Sequence, residues 1–315
     1  MFSVIACIRD DHDFRLIVVA AVICLIGSFA TMLLFSRAQE CQSHQRRYWI
    51  AAAAFASGVG IWATHFIAML AYESSLPISY GVSLTVLSVV LAIIGSWLAI
   101  AVAFEWDNRI SFTAGGLLMA FGIAAMHFTG MQAIEASAEL SFDVTRVVAS
   151  VVIGAGFASL AFLAFRSLHG FRRITIGALL LLLAICSLHF TAMSGVTLTP
   201  EAGMPGGGLA IDRSILAGIV MAAAMGLILI ALGAIFVDRH LTDLRGFANA
   251  SLEGLLIVRD GKVIDANERF FAISGWSAQQ VIGAAPDVFL TIDMDAHAEA
   301  VIPLETTLAG YDGNS

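Results

Sequence analysis

The sequence predicts an all-α polytopic membrane bundle of seven transmembrane helices, arranged as three parallel two-helix repeats, with part of a small α+β domain behind it. Three observations lead there. Long apolar runs fill the chain up to residue 237, the hydropathy changes abruptly after it, and one histidine-centred hexapeptide recurs three times at a constant interval.

Composition sets the class. Of 315 residues, 59% are hydrophobic and 13% charged, with a mean hydropathy of +0.89. Soluble domains are about 45–50% apolar and about 25% charged. The net charge of −8 comes without a basic cluster, and no glycine-rich phosphate loop follows a strand-like run, so nucleic acid and nucleotides are excluded as expected partners. Cys7, Cys24, Cys41 and Cys186 form no CxxC pair and read as buried or reduced thiols rather than a disulfide framework or zinc site.

Seven runs can cross roughly 30 Å of hydrocarbon: 16–35, 50–72, 82–104, 112–134, 147–165, 174–196 and 215–237. The first has no small-residue cleavage site after it and is read as a membrane helix, not a removed signal peptide. Arg37, Arg46, Arg47, Arg109, Arg166, Arg172, Arg173, Arg239 and Arg245 fall on one side of the spans. Arg9, Arg15, Arg146 and Arg213 fall on the other, among acids such as Asp10, Glu73 and Glu135. Since cytoplasmic loops carry the positive excess, the N-terminus is expected outside and the C-terminus inside. Tyr48, Trp49 and Trp106 then mark the inner interface, and Tyr72 and Tyr80 the outer one. The expected division is a membrane domain over 1–237, a linker helix over 238–252 that continues the seventh span, and a soluble domain over 253–315.

The repeat reads Thr64-His65-Phe66-Ile67-Ala68-Met69, Met126-His127-Phe128-Thr129-Gly130-Met131 and Leu188-His189-Phe190-Thr191-Ala192-Met193. Its histidines stand 62 residues apart, from 65 to 127 and from 127 to 189. Small residues recur in the same register at Gly60/Gly122/Ala184 and Ala68/Gly130/Ala192, positions that let membrane helices approach closely. Each unit holds two spans, so the three motif helices run in the same direction and place their histidines at one depth. Glu73 and Glu135 share the interval but Thr197 replaces the third acid, so these read as solvated helix ends. His12, His44, His169 and His240 have no repeat partners and are given no role.

Within each motif the methionine follows the histidine by four residues, on the same helical face. Imidazole suits copper, zinc, iron and nickel, while thioether sulfur favours Cu(I), so the mixed set points to copper. Intramembrane ionisable residues are rare and usually functional. One such histidine alone reads as interhelical hydrogen-bond glue, and one methionine as packing; three copies at one depth favour a shared site. An open position on copper there suits a small uncharged diatomic gas, which crosses lipid unaided.

These motifs, on alternate helices of seven, resemble the MHYT family of bacterial integral membrane sensors over most of the chain. The resemblance implies a copper site sensing oxygen, carbon monoxide or nitric oxide, with His65, Met69, His127, Met131, His189 and Met193 as ligands and Met126 as the one leading methionine retained. Thr64 and Leu188 replace the other two, and Phe66, Phe128 and Phe190 stand where the family has tyrosine. The resemblance also implies a homodimer and an output domain that makes or degrades cyclic di-GMP. No Gly-Gly-Asp-Glu-Phe or Glu-Ala-Leu motif occurs in these 315 residues, so the chain is read as non-enzymatic and any enzyme as lying beyond Ser315.

In the tail, strand-like runs over 255–258 and 263–266 flank Asp260-Gly261, a hairpin turn signal. Asn267 then caps a short helix ending near Gly275, and a second helix follows over 278–282 before Gly283. This order is similar to the first half of a PAS domain, with little recognisable pattern after Phe289 and no cofactor ligand to name. Two other functions compete: a bis-histidine haem electron carrier, and a cation transporter built on parallel repeats. A plain membrane anchor would need one helix, not seven.

Overall fold

The computed structural model describes residues 9, 12–40, 43–73, 78–105, 108–136, 138–200, 210–250, 253–291 and 307–308, and forms two compact units, 1–235 and 236–315. Among the described residues seven helices are long and apolar enough to cross a membrane: α1 (Phe14–Glu40), α2 (Ser43–Ala71), α3 (Val82–Glu105), α4 (Arg109–Gln132), α5 (Val144–Ser167), α6 (Phe171–Met193) and α7 (Arg213–Ala250). The chain is a multi-pass membrane protein. Its outward face is apolar, with Leu87, Ile94, Trp97, Phe121 and Val152 exposed where lipid tails lie.

Helices α1 to α6 pack each against the next, and α6 returns to α1, closing a ring. Two of the motif helices sit furthest inward, with 78% of the α2 span and 61% of the α4 span buried; α1 and the third motif helix α6 follow at 50% and 44%, and α3 and α5 lie outermost at 33% and 28%. Glycine makes this approach close. A Cβ on Gly27 would lie 3.2 Å from the Gly60 Cα across the α1–α2 contact, and one on Gly95 would lie 2.7 Å from the Gly122 Cα across α3–α4. Helix α7 stands outside the ring against α1 and α2, with Leu227 at the Gly27–Gly60 crossing and Arg213 donating to the carbonyls of Leu70 and Tyr72.

At one end of the bundle Phe35 fills the axis, completely buried among Phe104, Phe112, Phe162 and Phe165. Around it Arg46, Arg166 and Arg173 lie over phenylalanine faces. Arg37 pairs with Glu40 at 2.6 Å, and Arg173 donates to Gln39 and Ser36, tying α6 to α1.

The opposite end carries a β cap that the sequence reading treated as helix ends and loops. Tyr72, Ile134 and Val196, expected as helix termini, lie beyond α2, α4 and α6. The backbone groups released there pair with neighbouring connections rather than stay bare. Strand β1 (Ser79–Gly81) lies between β2 (Ile134–Glu135) and β5 (Ala210–Ile211), and β3 (Ala138–Phe142) pairs with β4 (Val196–Pro200), all antiparallel. Tyr80 is 1% exposed, packed on Phe66, and burial pushes its phenol up to about 12 against the opposing pull of the Arg213 guanidinium.

The second unit begins with a hairpin, β6 (Leu256–Arg259) and β7 (Lys262–Ala266), turned by Asp260 and Gly261 at φ 50° and 73°. Two positive φ values are what a type I′ turn requires, hence the Asp-Gly pair. The Asn267 side chain accepts from Phe270 N–H to cap α8 (Glu268–Ser274), accepts from Leu255 N–H, and donates to the Glu253 carbonyl. Gly275, at φ 76°, ends α8, and α9 (Ala278–Val281) follows. Val263, Phe270, Val281 and Phe289 form the core of this unit. Beyond it β8 (Leu290–Thr291) pairs with β9 (Thr307–Leu308).

Candidate metal centre

Toward the β-capped end of the ring, α2, α4 and α6 bring His65, His127 and His189 together at 2%, 1% and 6% exposure. Their Nδ1 atoms form a near-equilateral triangle with sides of 3.2, 3.2 and 3.3 Å. The rings stand almost perpendicular to one another, with centroids 5.0–5.2 Å apart. Each ring meets the edge of the phenylalanine that follows it, at 4.8, 4.9 and 5.0 Å. The 62-residue interval has become a three-fold axis.

As a hydrogen-bond network this triangle is frustrated. A neutral imidazole Nδ1 is either donor or acceptor, so three of them can satisfy at most two of three edges. The Nε2 atoms of all three are buried without a partner. As a ligand set it is consistent, because three lone pairs can converge on one cation. The centre of the triangle lies about 1.9 Å from each corner, close to the roughly 2.0–2.1 Å of a metal–imidazole bond, so these three residues would hold a cation. Among the described residues these three form the buried cluster able to hold a metal.

Beside the triangle lies a cavity of about 30 Å³ lined by His65, His127, His189, Met126, Cys186 and Phe190 among others. On this measure a water needs about 10–15 Å³, so the space takes one or two water-sized molecules. Met69, Met131 and Met193 are buried at 1%, 0% and 4% exposure, but Met126, immediately before its histidine, is the methionine on the cavity wall. Gly130 backs the site: a Cβ there would lie 2.6 Å from His65 Nε2.

One residue given no role from sequence stands next to the site. His12 bridges Tyr72 in an isolated β-contact, is 5% exposed, and meets the Tyr72 and Phe190 rings at 5.4 and 5.8 Å, within electrostatic reach of His189. It has no repeat partner, and pattern alone had no means of finding it.

Fold and site together define a seven-helix membrane protein with a three-fold histidine centre. A family profile described as a bacterial signalling protein N-terminal repeat, MHYT, matches residues 58–116 and 121–178, and a PAS domain profile matches 242–305. The PAS match extends past Phe289, where the sequence reading found little pattern. An uncharacterized signaling protein of Caulobacter vibrioides is 34% identical over 293 residues, covering 90% of this chain and 36% of the relative. The bifunctional diguanylate cyclase/cyclic di-GMP phosphodiesterase MucR of Pseudomonas aeruginosa is 31% identical, covering 74% of this chain and 35% of the relative. The cyclic di-GMP phosphodiesterase NbdA of the same organism is 33% identical, covering 60% and 25%. The chain is an MHYT-repeat signalling protein with a PAS domain behind its membrane helices. It spans about a third of the length of the first two relatives. No solved structure matches it.

Proposed function

We propose that this chain is a copper-dependent membrane sensor of a diatomic gas (oxygen, carbon monoxide or nitric oxide) that relays its state through α7 to the PAS unit and on to an output such as cyclic di-GMP turnover. The observation that carries it is the Nδ1 triangle, whose size suits a bound cation and whose hydrogen bonding is otherwise unsatisfied. His65, His127 and His189 are the ligands. Met126 offers thioether sulfur at the cavity wall, and Met69, Met131 and Met193, one turn on, keep the surroundings soft, a combination that favours copper over zinc. Copper with an open position supplies affinity for a small uncharged ligand, and the cavity gives such a ligand room. The chain's own residues bring the imidazoles together, exclude bulk water and couple ring positions to helix positions.

The remaining assignments belong to the same proposal: membrane domain over 1–237, linker over 238–252, PAS over 253–315, an inner-membrane location with the β cap periplasmic and the C-terminus cytoplasmic, no catalysis by this chain, and pairing of two copies. A bis-histidine haem fits poorly, since the macrocycle must lie between its axial ligands, while these nitrogens converge within 3.3 Å beside a cavity of about 30 Å³.

The test is metal content by mass spectrometry on protein purified without chelator after copper supplementation, beside H65A/H127A/H189A. One copper per chain, lost in the variant, is expected. A folded wild-type protein without copper overturns the reading, and another metal in its place corrects the cofactor.

A further inference from the structure

We propose that the groove between α1, α6 and α7, toward the arginine-bearing end of the bundle, seats one phospholipid of net negative charge, its acyl chain lying along the groove and its headgroup at Arg172. The groove has a volume of about 430 Å³, within the roughly 300–1,000 Å³ of sites that take small organic ligands. Its walls include Leu25 and Phe29 of α1, Ala178 and Leu179 of α6, and Ala231 and Ile235 of α7. Among the described residues its single polar lining side chain is Thr175, whose hydroxyl donates back to the Phe171 carbonyl at 3.1 Å. Such a wall accepts hydrocarbon and rejects any group that needs a hydrogen bond.

Depth selects an acyl chain. From Phe171 to Leu179 the groove follows α6 for eight residues, or about 12 Å at 1.5 Å per residue. That is most of the roughly 15 Å belonging to one leaflet of a 30 Å hydrocarbon core. Phe171 opens α6 and meets Phe29 at 5.9 Å, so the groove begins at the membrane interface and runs inward from it. Beyond Leu227, which fills the Gly27–Gly60 crossing, α7 faces α6 across this space through Ile228 and Ile235.

Charge supplies the second observation. Arg172 lies three and seven residues before Thr175 and Leu179, on the face of α6 that lines the groove. It is exposed and, among the described residues, makes no hydrogen bond or ion pair, whereas its neighbour Arg173 is engaged by Gln39, Ser36 and Glu40. The first turn of α6 also has no side-chain cap, so its free amides add to the attraction for a phosphate. A cation at the interface above an apolar groove of leaflet depth matches the order of charge and hydrocarbon in an anionic lipid. Occupied, the groove sets the spacing between α6 and α7, so the lipid bears on the helix that leads toward the PAS unit.

The test is native mass spectrometry on the full chain released from detergent after incubation with palmitoyl-oleoyl phosphatidylglycerol or the matched phosphatidylcholine. One phosphatidylglycerol per chain is expected to survive washing that strips the phosphatidylcholine. R172A should lower that retention about five-fold, the share of one interfacial arginine, and T175W, which fills the groove, should abolish it. R109A, an exposed arginine at the start of α4, is the control and should retain lipid like wild type. Because R172A alters only an exposed side chain, it decides the matter where T175W fails to fold. Equal retention of the two lipids, an R172A protein that binds like wild type, or an R109A protein weakened as much as R172A overturns the proposal. So does a dimer mass that replaces the lipid signal and vanishes in T175W, since the groove is then an interface between copies. Copper plays no part in these measurements, and their failure leaves the sensor reading standing.

Discussion

Gly130 is where one added methyl group should disturb the triad most. A Cβ at this position lies 2.6 Å from His65 Nε2 and 3.0 Å from its Cδ2, where ordinary contact begins at 3.4 Å. The His65 ring must therefore retreat by about 0.8 Å, several times the ~0.2 Å tolerance of a metal–ligand distance. Its Nδ1 starts 3.2 Å from each partner, so displacing the ring alters two of the three edges. G130A should lower copper affinity by about 10–100-fold, the range seen when the groups that orient ligands are altered. Helix propensity alone would reward the change by up to about 1 kcal/mol, which separates a site effect from a folding effect. G156A on α5, where nothing lies within 4 Å, is the control and should bind like wild type. Competition with a chromophoric copper chelator reads both. A G130A protein that competes as well as wild type refutes the idea that His65 is fixed in a ligating triangle.

Three further outcomes are expected. N267A removes two accepted hydrogen bonds and one donated bond at the start of the PAS unit and should cost about 2 kcal/mol; a thermal midpoint for that unit within error of wild type would contradict the capping role. Tyr80, held neutral to about 12 by burial against an ordinary value near 10, stabilises the fold fully below pH about 10. That contribution should be lost as pH rises from about 10 to about 12, and Y80F should flatten this part of a thermal-shift profile. Inserting two residues after Val237 rotates everything beyond it by roughly 200°, so copper-induced changes in hydrogen exchange over 253–291 should disappear while copper binding persists; unchanged exchange would refute α7 as the relay.

Much of this architecture was legible because membrane helices announce themselves by apolar length and because a strict 62-residue interval leaves few ways to place three histidines. The hairpin of the second unit was equally legible, since Asp260-Gly261 satisfies a backbone demand that few dipeptides meet. The β cap was not, as its strands are two to five residues long and show no periodicity. Helical spacing put Met69, Met131 and Met193 on the histidine face, but a face is not a depth, and the cavity wall went to Met126 through its position on α4. His12 escaped for another reason: it depends on contacts between segments distant in sequence and repeated nowhere else.

Phe35 has an electrical consequence. Its ring stacks on Phe165 at 4.2 Å and 2° and is wholly buried, so the axis that opens to a small cavity at the histidines ends in aromatic carbon at the arginine end. A six-helix ring with a polar centre invites ion leakage; this one is insulated. On the proposed sensor reading, such a centre takes up its neutral ligand without opening a path that would discharge the potential of the membrane that holds it.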